Sequence, residues 1–401
     1  MITVRENILK KLNINNDHKI LLCLDGGGVR STIIVEQLKK LEEVMGIPCY
    51  EFFDMIAGTS GGAIIGSLIL SGYSALEISE IYEYILHEIF AQKIALSNIM
   101  LNPPLYSKQK GKKVIEELLG KETTLEQACL KNKIDFLCIA RDVWAGEQVF
   151  FSCFQENGQT TGAYKKALLR GVVEASSTPP IIFNTFERFI DGAFTAFNSP
   201  VLPTLMEVIH NSPNRKYNID KMTIFSFGSG IKSSVYNVKD YNQSSWLTTK
   251  SWMNWFLNDY GEDVSRVQTI LFREKKIFPN IDYRRFQISL EPHTLRNLTN
   301  YSIPEGLPGI KAKCMHDLTI EELKLVTPIN FPLYPLLKII GEAMAEFVEI
   351  KQKIAYSKDL VGDDGMGLLI SKRGDLSMQY SKGDYRIILE NLSSTSWIDS
   401  H

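Results

Sequence analysis

The stretch LLCLDGGGVRST, residues 21–32, sets an apolar run ending in an acid against three consecutive glycines, then an arginine and a Ser/Thr pair. The apolar run suits a short buried strand over 20–25. After the glycines, Ile34, Leu38, Leu41 and Met45 recur at helical spacing with Lys39, Lys40, Glu42 and Glu43 between them, which predicts an amphipathic helix over 31–45. YEFFDMIAG reads as the next strand, over 51–57, and completes a strand-helix-strand unit whose crossover returns the second strand parallel to the first. Three glycines together give up much backbone freedom on folding, so the backbone there must approach something closely.

Outward from this unit the alternation continues. DFLCIARDV and EQVFFSCF read as strands, YKKALLRGVVEAS as a helix, RFIDGAF as a strand entering a turn, and KMTIFSFGSG as a buried strand with a glycine turn. The pattern predicts a mostly parallel α/β sheet. Beyond residue 233, WLTTKSWMNWFLNDYGEDVSRVQTILF and PLYPLLKIIGEAMAEFVEIKQKI read as helices, and the tail from Val361 as loop-rich. The expected organisation is an N-terminal segment 1–17, a main domain 18–350 and a C-terminal tail 351–401.

Composition bounds the function. The chain has 401 residues, 44% of them hydrophobic, which is enough for a substantial core. Its 44 basic and 46 acidic residues leave a net charge of -2, so there is no overall basic footprint for a nucleic acid polymer. Basic residues cluster in YSKQKGKK (106–113) and REKK (273–276), runs expected on a solvated face or, for the first, against an anionic membrane. The six cysteines form no CxxC pair and read as reduced and structural. The first residues lack an apolar signal region, and AIIGSLIL falls far short of the ~20 residues needed to span a bilayer, so a soluble cytoplasmic protein is the expectation.

GTSGG, residues 58–62, fits the GxSxG turn in which a nucleophilic serine stands between a strand and a helix. Gly58 and Gly62 supply the small neighbours of the elbow, and Ser60 sits where the helix dipole favours negative charge. Taken alone, the motif also describes a tight turn with an ordinary serine. Both glycine turns leave the same edge of the sheet, where open α/β sheets place their ligands. The amides of Gly26, Gly27 and Gly28 can therefore lie beside Ser60 and donate to an oxyanion, with Arg30 as a nearby positive charge for a phosphate or for the loop itself. A dinucleotide-binding turn fits poorly, because Ser31 occupies its last glycine position and Asp25 would face a pyrophosphate. None of the six histidines lies in a recognisable strand-end motif. Asp191 follows the strand RFI and enters the turn DGAF, placing an acid at the same edge, although a DG pair by itself is a plain turn. Such a carboxylate acts as a base for a hydroxyl only in a dry pocket that raises its pKa.

DGGGVR, GTSGG and DGA in this order resemble the patatin-like phospholipases, with EASSTPPIIF and FSFGSG as weaker matches, over roughly residues 18–230. The resemblance implies a three-layer fold, a mostly parallel sheet with helices on both faces, here with a helical C-terminal extension. It also implies hydrolysis of lipid acyl esters without a metal or other cofactor. Ser60 is then the nucleophile, Asp191 the general base, and Gly26, Gly27 and Gly28 the oxyanion loop, with help from Arg30. Ser31 departs from the glycine common in the family at that place. Asp25 is expected to fix the loop by accepting backbone hydrogen bonds.

The implied partners are a phospholipid or lysophospholipid and, peripherally, a membrane. Trp246, Trp252, Trp255, Phe256 and Tyr260, or the loop LNPPL at 101–105, are candidates to touch it, although the aromatics equally suit a core. Some bacterial family members are antiviral effectors switched on by cyclic nucleotides. Here that expectation rests on the resemblance alone, and the stretch beyond residue 230 is the place for a sensor. The competing reading is a catalytically silent lipid-binding or scaffolding protein, which would be expected to lose Ser60 or Asp191.

Overall fold

The computed structural model describes residues 3–90, 105–180, 182–231, 261–273, 278–288, 290, 295 and 301–352. The aromatic stretch 246–260, residues 101–104 of the LNPPL loop and the tail from 353 lie outside them.

The strand-helix-strand unit forms as expected. β1 (Lys19–Leu24) and β2 (Met55–Thr59) run parallel, in register from Leu21 opposite Met55 to Leu24 opposite Gly58, with the helix Thr32–Met45 between them in sequence. β3 (Asp135–Asp142) lies parallel beyond β2, while β7 (Met222–Phe227) and β8 (Asp282–Phe286) extend the parallel sheet on the other side of β1. β4 (Glu147–Glu156) and β5 (Gln159–Thr161) close the near edge antiparallel, giving the order β5-β4-β3-β2-β1-β7-β8. β6 (Phe189–Asp191) pairs with β3, antiparallel.

The central strands read as continuous apolar runs because both faces are covered. Ile20, Leu22, Leu24 and Ile56 point into one core, and Leu21, Cys23, Met55 and Ala57 into the other. The second core is closed by the helix Val201–His210, through Val201, Leu205 and Val208, and by Phe272 of the helix Gly261–Arg273. The result is the expected three-layer α/β fold. Helix Tyr334–Gln352 forms the C-terminal extension and packs on helix Thr32–Met45, where Gly341 permits the approach: a Cβ there would come 2.9 Å from Glu36 Cβ. Helix Val4–Lys11 buries Ile8 and Leu9 in the first core. Five of the six cysteines are buried and all are free.

Two expectations need correction. The strand placed over 51–57 begins only at Met55, and Cys49–Phe52 form a single helical turn. Asp54 is the reason: its carboxylate accepts the Ile20 amide at 2.8 Å and ion-pairs with Arg5 and Lys19, so it caps the sheet edge instead of entering a central strand. The helix read over YKKALLRGVVEAS covers only Leu169–Ser176, since the Leu125 and Glu126 amides bind the carbonyls of Ala167 and Lys165.

Candidate active site

Ser60 follows the end of β2 and caps helix Gly61–Ser71. Its backbone is held at φ 54°, a conformation that costs a side-chain-bearing residue energy and that marks a strained turn. The turn fits because its neighbours lack side chains: a Cβ on Gly62 would lie 2.2 Å from the Leu24 carbonyl of β1.

β6 brings the acid to this serine. Thr59 of β2 pairs with Ile139, and the next residue of β3, Ala140, pairs with Asp191. β6 therefore takes over the side of β3 that β2 vacates, and its last residue meets Ser60 head-on. Ser60 Oγ donates to Asp191 Oδ2 at 2.7 Å, and the Ala193 amide donates to Oδ1 at 2.8 Å. Asp191 is 1% exposed, and burial pushes its carboxyl up to about 6 against those two hydrogen bonds and the Lys108 charge.

The segment after helix Leu169–Ser176 grips both residues. Ser176 Oγ accepts the Ser60 amide at 3.0 Å and donates to the Ile139 carbonyl at 2.6 Å, while the Asp191 amide donates to the Thr178 carbonyl at 3.0 Å. Lys108 clasps the same segment, with Nζ donating to the Ser177 carbonyl at 2.7 Å and to Thr178 Oγ1 at 2.6 Å. Burial pushes the Lys108 ammonium down to about 8, opposed by Glu174 and Asp191. The basic run 106–113 is thus not simply a solvated or membrane-facing surface: Tyr106 is buried, Lys108 points inward and Lys112 pairs with Glu174 at 3.8 Å. Ser176 and Lys108 were not assigned roles from sequence. EASST hinted at the first, and nothing local marks the second.

The glycine loop lies beside Ser60. Gly26 was expected among the oxyanion donors, but its amide donates to the Asn198 carbonyl at 3.1 Å and its own carbonyl accepts Ser229 Oγ at 2.8 Å. Among the described residues, no acceptor takes the amides of Gly27 or Gly28, and both residues line the cleft in front of Ser60. Gly28 adopts φ +55°, and the Val29 amide binds the Pro328 carbonyl at 2.8 Å. Arg30, 3% exposed, lines the same cleft from the turn Gly28–Ser31. Asp25 holds the loop differently from the expectation. Its carboxylate takes both terminal nitrogens of Arg285 on β8, one at 2.9 Å, and burial pushes its pKa up while Arg285 pulls it back.

The cleft has a volume of about 860 Å³ with its open mouth included. Ile64, Leu86, Ile89, Ile182 and Phe183 line it away from the polar end. A hydroxyl bonded to a desolvated carboxylate, beside two unengaged amides and at the head of an apolar cleft, is suited to acyl transfer from an ester with a hydrocarbon tail. Among the described residues, no helix is long and apolar enough to cross a membrane.

Residues 22–205 match the family model of patatin-like phospholipases. The chain is 24% identical over 246 residues to the cGAMP-activated phospholipase of Escherichia coli (strain TW11681), covering 58% of this chain and 66% of that protein. It is 33% identical over 99 residues to the cUMP-AMP-activated phospholipase of Escherichia coli, covering 25% and 31%. With the intracellular phospholipase A2 of Caenorhabditis elegans it shares 26% identity over 253 residues, covering 59% of this chain and 21% of the relative. The matched regions thus span less than the full length of each relative.

Proposed function

We propose that this chain, whose residues 22–205 match the patatin-like phospholipase family model, is a lipid acyl hydrolase of phospholipase A or lysophospholipase type, acting through Ser60 and Asp191. The observation that carries the reading is the 2.7 Å hydrogen bond from Ser60 Oγ to a buried carboxylate, next to two amides that no acceptor among the described residues takes. Asp191 removes the Ser60 proton as Oγ attacks the ester carbonyl, and the Gly27 and Gly28 amides stabilise the oxyanion. Collapse expels the lysolipid or glycerol oxygen, which takes the proton back from Asp191 and leaves acyl-Ser60. Asp191 then takes a proton from water, the hydroxide attacks the acyl group, and Ser60 leaves reprotonated with release of the fatty acid.

The electrostatics favour an enzyme over a silent binding protein. With its carboxyl raised from 3.8 to about 6, Asp191 supports folding best while protonated, and that support is lost as pH rises through about 6. An ionised, desolvated acid and a strained serine burden the fold at neutral pH, and a binding protein has no use for either. The same value sets the pH dependence: turnover falls as pH drops below about 6, where the base becomes protonated.

The catalytic unit in this reading runs over 18–350, contacts membranes peripherally and works in the cytoplasm. Activation by a cyclic nucleotide in an antiviral setting is a further part of it, supported by the names of the two Escherichia coli relatives. The test is labelling with a fluorophosphonate probe and fatty acid release from mixed phospholipid vesicles, with and without cGAMP and cUMP-AMP. Labelling on Ser60 and fatty acid release that both disappear in Ser60→Ala, with a loss of at least ~10³-fold in release by Asp191→Asn, are expected. Unlabelled Ser60 and turnover indifferent to either substitution would refute the hydrolase.

A further inference from the structure

The turn joining β3 to β4 is held more firmly than its exposure requires. Asp142 Oδ1 accepts the Trp144 and Ala145 amides, each at 3.0 Å. The Gly146 amide binds the Asp142 carbonyl at 2.9 Å, the Val143 amide binds the Arg188 carbonyl at 2.9 Å, and Arg141 Nη2 donates to the Gly146 carbonyl at 3.1 Å. Every amide of residues 143–146 therefore has a partner. The side chains nevertheless face water: Trp144 is 80% exposed and Val143 48%. Scattered exposed aliphatics need no explanation, but an indole on a rigid tip forfeits the largest burial any side chain offers. Arg188 bonds Asp142 Oδ2 at 2.6 Å and lays its guanidinium 5.1 Å from the indole centroid, which props the ring on one side.

The tip stands at the active edge. Ala140 pairs with Asp191, so Trp144, four residues further along the chain in the turn after β3, lies at most ~13 Å past the level of the acid. Glu147 and Glu187 are exposed beside Arg141 and Arg188, so charge at the tip is nearly balanced and the ring, with Val143, is what it offers a partner. An indole with an apolar body and one N–H donor is most favourably placed at the headgroup level of a bilayer.

We propose that Trp144 is an interfacial anchor that seats the active edge of the sheet on a lipid surface. The proposal rests on the reading of the cleft as a site for membrane lipids, and it predicts binding to zwitterionic as well as anionic bilayers with weak salt dependence. The probe is co-sedimentation with phosphatidylcholine vesicles, comparing Ser60→Ala with Ser60→Ala/Trp144→Ala at low and high salt. Partition is expected to weaken roughly tenfold or more in the double variant at both salt concentrations. In the active chain, Trp144→Ala is expected to lose a similar factor of turnover on vesicles while hydrolysing a soluble short-chain p-nitrophenyl ester at the unmodified rate. Unchanged partition overturns the proposal, as does an equal loss on both substrates, which would mean a structural role. So does loss of self-association with partition intact, which would assign the tryptophan to a protein contact. If partition falls but the unmodified chain hydrolyses neither substrate, the anchor stands and the hydrolase reading falls.

Discussion

Within residues 22–205, β1, β2 and β6 deliver Gly27, Gly28, Ser60 and Asp191 to one edge of the sheet. From residue 226 onward the described residues supply no reacting group in the proposed mechanism, yet they provide much of what holds the glycine loop. Ser229 binds the Gly26 carbonyl, Arg285 neutralises Asp25, and the Pro328 carbonyl fixes Val29. The two regions differ physically. The first works through short motifs whose geometry is local, and the second through buried polar contacts made by residues 200 or more positions away. Chemistry placed in turns is only as well oriented as the non-local contacts that immobilise those turns.

The sharpest way to break this division is to cut the Asp25–Arg285 pair. Arg285→Met leaves a fully buried carboxylate without its cation and is expected to destabilise the protein by about 3–5 kcal/mol, read by urea denaturation. Asp25→Asn combined with Arg285→Met should recover most of that loss. If the single variant keeps both stability and turnover, the distal region does not hold the loop.

A smaller effect tests the loop where the regions touch. Gly28→Ala puts a Cβ 2.2 Å from the Pro328 carbonyl at φ +55° and is expected to lower kcat by about 10²-fold through displacement of an oxyanion donor. Gly46→Ala is the control. It shares the left-handed backbone, at φ +77°, but meets open space, so it should cost roughly 1 kcal/mol of stability and leave kcat unchanged.

The smallest expected effect sharpens the comparison inside the first region. Lys108 is a positioning residue that lowers the Asp191 pKa through its charge. Lys108→Met should move the acid limb of the kcat/KM profile to higher pH, and Lys108→Arg should move it back. A drop in rate with no movement of the limb would leave Lys108 a purely structural clasp.

Much of this was legible in the sequence, for a reason that particular residues make clear. The apolar runs read over 20–25 and 51–57, the second right in place though not in its start, the GTSGG turn and the DGA turn are each decided within a few residues, because strand burial and tight-turn sterics are local constraints. The raised pKa of Asp191 was also legible, since a carboxylate can serve as base for a hydroxyl only when desolvated. Other features were not readable. Asp54 looked like part of a strand until its three partners were known. Gly26, Gly27 and Gly28 are chemically identical in sequence, and only Asn198 and Ser229 decide that the first is engaged.

By itself, then, the sequence determined the strand-helix-strand unit around the glycine turn, the serine and the acid proposed to react, and the sheet edge on which they meet. Spacing and residue type dictate those features, and both act over one or two turns of chain. Tertiary structure alone decided that β6 replaces β2 beside β3, so that Asp191 reaches Ser60. It also decided that Lys108 turns inward from a basic run, and that Trp144 is held out in water. Those outcomes depend on which distant backbone groups are left to be satisfied and which side chains find a partner, and no local pattern of residues carries that information.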